Sequence, residues 1–281
     1  MKKVNIIGVP EHFNLPWHLA IEEGAFKNRG IDLIWSDIPE GTGKMCQLLQ
    51  NEETDLAIIL TEGLVKSITE GNPTKIVQEY IATPLLWGIH VAANSVYENI
   101  SDLEHSKAAI SRFGSGSHLM AYVHAQNNDW DTSTLEFEVI NHLQGAIEGL
   151  TKGKADYFMW EHFTTKPLVT DGTFRRLGDC PTPWPCFVIA ATDSFIKNHP
   201  GTLKHLLEVI NSYTLEFKSI PSIDRTLANS YDQKLEDIQK WLSLTRWSQN
   251  QMKAETLENV QDTLLDLNLI TTKVSIDQLL Y

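Results

Sequence analysis

The segment SRFGSGSH at 111–118 has the composition and position of a turn that binds an anion. It follows a short apolar run and opens a stretch with helical spacing, so its backbone N–H groups and a helix N-terminus could hold a carboxylate or a phosphate. The alternative is a flexible turn in which Ser117 is an ordinary N-cap, because a lone glycine-rich turn is weakly diagnostic. The ligand-binding residues predicted here are Arg112, Ser115, Gly116, Ser117 and His118.

Polar, acidic and aromatic side chains also follow each of the first three apolar runs. PEHFNLPW at 10–17 comes after the first run, and GTG at 41–43 and TEG at 61–63 come after the next two. The alternative for 10–17 is a proline-stiffened surface loop, and we favour core packing for Phe13. The threonines of the two later segments are also good N-caps, which is compatible with ligand contact. The candidates here are Glu11, His12, Asn14, Trp17, Thr42, Gly43, Thr61 and Glu62.

Two tryptophan-containing segments supply the remaining candidates, Trp160, Glu161 and Trp184. Trp160 is equally consistent with core packing and with ligand contact, and Trp184, between two prolines, could form an aromatic wall. Burial of Glu161 without a partner would be costly, which favours a place in a cleft.

The acidic and the basic candidates fit different parts of one ligand. The acidic side chains, together with several aromatic rings, fit an amino-substituted heteroaromatic or another cation-bearing compound. Those acidic residues are Glu11, Glu40, Glu62 and Glu161. Arg112 and the glycine-rich turn instead fit an acidic group. A ligand with both features, such as a pyrimidine or an amino-acid-like metabolite, satisfies both sets.

The sequence contains no motif for a metal site or for nucleophilic catalysis. Ten histidines are present without an H-E-x-x-H, and the pairs His12/His18 and His118/His124 fall on different helical faces, so we expect no metal. The three cysteines have no C-x-x-C spacing and are expected to be reduced thiols. We therefore expect a binding protein without a cofactor. The enzyme alternative would use Glu11, His12, His118 or Glu161 as an acid or base.

These segments are positioned by strands and helices that alternate along the chain. The pattern predicts βαβαβα units in a mostly parallel sheet, where ligands lie beyond the carboxyl ends of the strands. Predicted strands are 4–9, 31–35, 56–60, 107–110, 135–139 and 157–160. Predicted helices are 17–28, 45–49, 64–70, 118–126, 143–152, 203–218, 225–242 and 251–267. We expect crossovers at 87–92 and 187–191, and a two-lobed α/β fold: lobe 1 at 1–88, lobe 2 at 89–193, and a helical return to lobe 1 at 194–281.

Composition excludes several classes of partner. A chain of 281 residues with 42% hydrophobic residues can form more than one core, and its net charge of −13 should repel nucleic acid and anionic lipid. No apolar run is long enough for a transmembrane segment. Met1, Lys2 and Lys3 resemble the start of a signal peptide, but the apolar run that follows is too short. We expect a cytoplasmic protein, or a periplasmic one if a leader has been removed.

Seven short segments, in order, resemble the substrate-binding proteins of ABC importers for taurine, nitrate and thiamine-pyrimidine precursors. They are EGAF at 23–26, GIDL at 30–33, TDLAI at 54–58, SDLE at 101–104, KAAI at 107–110, GKADY at 153–157 and ATDSFI at 191–196. The resemblance implies a type II periplasmic-binding-protein fold whose lobes close on a small molecule. It also implies a pyrimidine-like or thiamine-precursor-like ligand and an importer permease as partner.

The chain is also similar to an uncharacterised leaderless group of these proteins in fungi and bacteria. Cytoplasmic relatives of this fold include enzymes, among them the eukaryotic thiamine-pyrimidine synthases and menaquinone-pathway dehydratases. The synthases carry a cysteine-rich iron-binding run, whereas the nearest segment here has the single Cys186. Binding therefore remains the preferred function, with an enzyme or a ligand sensor as alternatives.

Overall fold

A computed structural model describes residues 1–281, which form two five-stranded sheets with flanking helices. The strands are β1 (Lys2–Gly8), β2 (Ile31–Asp37), β3 (Leu56–Leu60), β4 (Thr74–Ile81), β5 (Leu86–Ala92), β6 (Lys107–Ile110), β7 (Glu136–Val139), β8 (Tyr157–Glu161), β9 (Phe174–Pro181) and β10 (Phe187–Thr192). The helices are α1 (Leu15–Glu22), α2 (Thr42–Gln50), α3 (Thr61–Thr69), α4 (Gly116–Asn127), α5 (Leu143–Thr151), α6 (Lys166–Thr170), α7 (Asp193–Asn198), α8 (Pro200–Glu216), α9 (Ile223–Ser230), α10 (Leu235–Leu244), α11 (Ala254–Asp266) and α12 (Ile276–Leu279).

The first unit comprises Met1–Thr83 and Trp184–Tyr281. Its sheet has the order β2-β1-β3-β10-β4, with β1 parallel to β2 and β3. Strand β10 is antiparallel to both β3 and β4. Strands β1 to β4 therefore all end at one edge of the sheet, where β10 begins. We call this the first carboxyl edge.

The second unit, Pro84–Pro183, repeats this arrangement. The order of its sheet is β7-β6-β8-β5-β9, and β6 is parallel to β7 and β8. Strand β5 is antiparallel to β8 and β9. Strands β6 to β9 end at the edge where β5 begins, which we call the second carboxyl edge.

The predicted α/β class, with mostly parallel sheets and a helical C-terminal region, is confirmed. The predicted crossovers at 87–92 and 187–191 are instead the reversed strands β5 and β10, each paired on both sides. The helix expected at 17–28 ends at Glu22, because Gly24 has a φ of 71°. Two strands, β4 and β9, were not predicted from the sequence. The predicted lobe boundaries at 88 and 193 differ from the division of the structure at 83 and 183.

The chain after α10 forms hydrogen bonds along β4, the edge strand of the first sheet. Ala82 N–H donates to the Arg246 carbonyl at 2.8 Å, and Ser248 N–H donates to the Tyr80 carbonyl at 2.9 Å. These bonds satisfy backbone groups within and directly after β4, which is an edge strand of the sheet. No helix in the protein is both long and apolar enough to cross a membrane.

Candidate functional site

The loop after β1 places its polar side chains inward. Asn14 is 1% exposed and donates through Nδ2 to the Val9 carbonyl at 2.8 Å, while its Oδ1 has no partner. His12 is 3% exposed, with its ring centroid 4.1 Å from that of Trp241 and 5.0 Å from that of Phe13. Burial lowers the pKa of His12 to about 3, so the ring is neutral, and its Nε2 has no partner.

The other two candidates of this loop differ in exposure. Trp17 is fully buried and stacks on Phe26, with centroids 5.8 Å apart, so its side chain belongs to the core of the first unit. Glu11 is partly exposed at the first carboxyl edge. Phe13 is buried, in agreement with the core packing expected from the sequence.

The first turn of α3 is bound to the segment that precedes β10. Thr61 donates through its hydroxyl to the Pro185 carbonyl at 2.6 Å and through its N–H to the Cys186 carbonyl at 3.0 Å. Trp184 Nε1 donates to Glu62 Oε2 at 2.8 Å. Residues predicted from two distant parts of the sequence, Glu62 and Trp184, are therefore in direct contact.

Glu62 is a buried carboxyl group at the first carboxyl edge with one oxygen that lacks a hydrogen-bond partner. The residue is 2% exposed, and its second oxygen, Oε1, has no hydrogen-bond partner. Burial raises the pKa of Glu62 to about 7, although hydrogen bonds from its own backbone and from Trp184 oppose this shift. A carboxyl with such a pKa can exchange a proton near neutral pH.

The N-terminal turns of α2 and α3 are in close contact at this edge. A Cβ on Gly63 would lie 2.3 Å from Thr42 Cγ2, so any other residue there would require the Thr42 side chain to move. Thr42 and Gly43, both partly buried, open α2 after Gly41, whose φ is 76°. Neither α2 nor α3 has a side-chain N-cap, and at the start of α3 the Thr61 N–H donates instead to the Cys186 carbonyl.

In the second unit, the segment after β6 forms a compact serine turn at the start of α4. Ser115 is the N-cap and accepts from the His118 N–H at 3.3 Å. Ser117 Oγ lies 3.1 Å from both Ser111 Oγ and Ser115 Oγ, and it accepts from the Ser111 N–H at 3.0 Å. The hydroxyls therefore fix the turn, and Ser115 rather than Ser117 is the N-cap.

His118 is buried in an aromatic cluster behind this turn. Its Nδ1 accepts from the Gly114 N–H at 3.1 Å, and its ring packs edge-on against Phe137 with centroids 4.7 Å apart. Phe113, at the tip of the turn, is 65% exposed. Arg112 and Gly116 are partly exposed and are the candidates of the turn with accessible surface.

The two candidates at the end of β8 are also largely enclosed. Trp160 is partly buried and stacks on Phe158, with centroids 5.3 Å apart. Glu161 is 4% exposed, and its Oε2 accepts from the Thr164 N–H at 2.6 Å. Burial raises the pKa of Glu161. The sequence argument against a buried Glu161 assumed that it lacked a partner, and Thr164 supplies one.

A cluster of ionisable residues in the second unit was not predicted from the sequence. His162 Nδ1 lies 2.7 Å from Asp179 Oδ1, and Arg176 donates to the His162 carbonyl at 2.6 Å. His90 Nε2 accepts from Arg176 Nε at 3.2 Å and lies 2.9 Å from Thr165 Oγ1. Burial, and next the charge of Arg176, lower the pKa of His90 to about 3. Its members come from β5, from β9 and from the segment between β8 and α6, and no local motif links them.

Comparison with known proteins agrees with this architecture. Residues 87–180 match the family model described as Ca3427-like PBP. The solved structure of the Candida albicans CA3427 gene product is 22% identical and covers 98% of this chain and 92% of its own, with a TM-score of 0.88. That product is described as defining a new family with the generic periplasmic binding protein fold. No curated protein matches the chain.

Two sulfonate-binding proteins have similar structures. The alkanesulfonate-binding protein SsuA from Xanthomonas axonopodis pv. citri, bound to MOPS, is 14% identical, with a TM-score of 0.84 and coverage of 100% of this chain and 98% of its own. The periplasmic aliphatic sulphonate binding protein SsuA from Escherichia coli is 15% identical, with a TM-score of 0.74 and coverage of 100% and 92%. The resemblance inferred from the sequence is confirmed: the chain has the type II periplasmic-binding-protein fold, and its second unit matches the Ca3427-like family.

Proposed function

We propose that the protein binds a small polar metabolite through polar side chains near the carboxyl ends of its parallel strands. The observation that carries this proposal is the first carboxyl edge, where two uncapped helix N-termini adjoin Glu62, a buried carboxyl with a free oxygen. A buried carboxyl oxygen without a donor is costly unless a ligand or water supplies one. The fold itself is one whose similar members include proteins named for the small molecules that they bind.

The partly exposed candidates are the first choice for direct ligand contact: Glu11, Thr42, Gly43, Arg112, Gly116 and Trp160. Among the buried candidates, Thr61, Ser115, Ser117 and His118 act by holding the loops in place. A pyrimidine-like or thiamine-precursor-like ligand would use acidic acceptors and an aromatic wall. A role as the receptor of an ABC importer, with a permease as partner, extends the same proposal.

A sulfonate is a second candidate ligand. Helix N-termini and Arg112 favour an anionic group, and the two similar structures named above are of sulfonate-binding proteins. An enzyme is a third candidate, because the pKa of Glu62, raised by burial to about 7, suits a general acid or base.

Thermal unfolding against a panel of pyrimidines, amino acids, sulfonates and chorismate-type acids tests the proposal. A compound that binds only the native state must raise the melting temperature; at 100 times its Kd the stabilisation is about 2.7 kcal/mol. The shift should shrink in Trp160→Ala and Arg112→Ala variants and persist in the exposed control Glu258→Gln. Mass spectrometry of the mixture separates binding from turnover. A folded protein that responds to none of these compounds would contradict the proposal.

A further inference from the structure

The carboxyl group of Glu62 is only half satisfied. Its Oε2 accepts from Trp184 at 2.8 Å, whereas Oε1 is buried and has no partner. A buried acceptor without a donor costs about 1–3 kcal/mol, so such atoms call for an explanation. No cationic side chain forms an ion pair with Glu62, and none contributes to its pKa shift.

The indole that holds Glu62 is itself fixed. Trp184 is 3% exposed and sits between two prolines, and the Thr61 hydroxyl binds the carbonyl of Pro185 at 2.6 Å. The first turn of α3 therefore makes two contacts with the Trp184 segment. Thr61 donates to the Pro185 carbonyl, and Glu62 accepts from the Trp184 indole. Such support holds one carboxyl oxygen in place and leaves the other in a defined orientation.

We propose that Glu62 Oε1 is the specificity-determining acceptor of the site, and that it binds an N–H donor of the ligand such as an amidine, guanidine or amino group. Trp184 is a positioning residue that holds the carboxyl group for this contact. The inference rests on the proposed binding function and narrows its ligand class. A sulfonate or carboxylate, which offers only acceptors, would leave the acceptor on Glu62 unmatched unless Glu62 were protonated.

Proton exchange distinguishes the two ligand classes. Burial raises the pKa of Glu62 to about 7, so its carboxyl group can gain or lose a proton near neutral pH. A donor ligand favours the carboxylate, lowers its pKa and releases a proton on binding. An acceptor-only ligand favours the protonated carboxyl and takes up a proton. The sign of the proton exchange therefore reports which class is bound.

The test uses four probes that share one ring: benzamidine and benzamide as N–H donors, and benzenesulfonate and benzoate as acceptor-only compounds. Thermal shifts rank their binding to the full-length protein, and calorimetry in buffers of different ionisation enthalpy gives the protons exchanged. We expect benzamidine and benzamide to bind, benzamidine with proton release near pH 7. In Glu62→Gln the side-chain carbonyl can still accept from Trp184, but an amide nitrogen replaces the free oxygen. Benzamidine binding should then weaken about 10- to 100-fold and lose its proton exchange.

Two further variants control the interpretation. Glu258→Gln removes the same charge from an exposed position and should leave binding and proton exchange unchanged. Trp184→Phe keeps the ring but removes its donor, and it should weaken benzamidine binding in the wild type but have little further effect in Glu62→Gln. Equal benzamidine affinity in the wild type and Glu62→Gln, or binding of the acceptor-only probes alone, would overturn this inference while leaving the binding function intact. Absence of binding by all four probes and by the wider metabolite panel would overturn the binding function itself.

Discussion

At the scale of single residues, the first carboxyl edge buries groups that ordinarily lie in water. Glu62 keeps a free oxygen, and His12 keeps a free ring nitrogen within an aromatic cluster. Burial moves the two pKa values in opposite senses, because it disfavours the charged form of each group. The two residues therefore make opposite contributions to stability as pH changes.

Glu62→Gln should stabilise the protein at high pH and have little effect at low pH. The pKa of Glu62 is raised from 4.5 to about 7, so between these values the folded state holds a proton that the unfolded state has lost. Stability is therefore lost as pH rises from 4.5 to about 7, by about 3 kcal/mol in all, and the loss is complete at pH 8. Urea unfolding of wild type and variant at pH 4.5 and pH 8 measures the difference. If the free energies of unfolding of wild type and variant differ by the same amount at both pH values, the raised pKa of Glu62 is contradicted.

His12→Phe should reduce the loss of stability in acid. The pKa of His12 is lowered to about 3, so below 6.5 the unfolded state binds a proton that the native state does not. This difference costs about 1.4 kcal/mol per pH unit between 6.5 and 3, and phenylalanine removes it. The free energy of unfolding, measured with urea at several pH values, should therefore fall less steeply in His12→Phe than in the wild type as the pH is lowered. The slopes should differ by about 1.4 kcal/mol per pH unit, which corresponds to one proton. The exposed His205→Phe is the control, and an unchanged slope in His12→Phe would refute the prediction.

At the scale of elements, close backbone approach determines where the helices begin. A Cβ on Gly145, in the first turn of α5, would lie 1.9 Å from the Ile140 carbonyl oxygen. Asn141, with a φ of 65°, folds the intervening loop back onto the helix. Helix α5 can therefore follow β7 so closely only because position 145 has no side chain.

Gly145→Ala should destabilise the protein by about 1–3 kcal/mol or more, because neither the backbone oxygen nor the added methyl group can move away cheaply. The matched control is Gly201→Ala in the first turn of α8, where an added Cβ meets nothing within 4 Å. That substitution should stabilise by about 0.5–1 kcal/mol through helix propensity. Chemical denaturation gives the change in the free energy of unfolding for each variant. If both variants are destabilised, or both stabilised, the close contact between position 145 and the Ile140 carbonyl is contradicted.

Ser115→Ala should destabilise the second unit through α4. Ser115 is the N-cap and accepts from the His118 N–H, so its removal should cost about 1 kcal/mol. It also removes one neighbour of the Ser117 hydroxyl. Ser101→Ala, at an exposed position of the same unit away from α4, is the serine control. Equal stability of Ser115→Ala and wild type in urea would show that the hydroxyl does not cap the helix.

At the scale of the whole molecule, the second unit is one continuous segment inserted into the first. Its two ends are held together: Thr182 N–H donates to the Leu85 carbonyl, and Leu85 N–H donates to Thr182 Oγ1, both at 3.0 Å. The unit has its own five-stranded sheet and its own buried cluster, which includes Ile140, Phe158 and Phe174. These are the features of an independent domain.

We therefore expect residues 84–183 to fold when expressed alone. The fragment should show helix and strand signals in circular dichroism and a cooperative urea transition, with a slope of about 1 kcal/mol/M or slightly more. Gly145→Ala should lower the midpoint of that transition, because the strain lies wholly within the fragment. A fragment without a cooperative transition would show that the second unit depends on the first.

The sequence alone determined the repeating α/β plan and the places where functional side chains gather. Strand β3 was predicted at 56–60 and β6 at 107–110, because both are short apolar runs bounded by turn signals. Strand β9, in contrast, contains Arg175, Arg176 and Asp179, whose polar character hides its strand periodicity. Strand β4 is buried on both faces and contains Gln78 and Glu79, so it shows no alternation either.

Only the tertiary structure decided which candidates pack inward and which groups they meet. Trp17 in α1 and Trp160 in β8 were both candidates for ligand contact, yet the first is fully buried and the second partly exposed. The contact between Glu62 and Trp184 joins residues 122 positions apart, and the reversed strand β10 makes it possible. Local periodicity reports the next few residues along the chain, whereas burial, hydrogen-bond partners and pKa values depend on residues that strand order brings together.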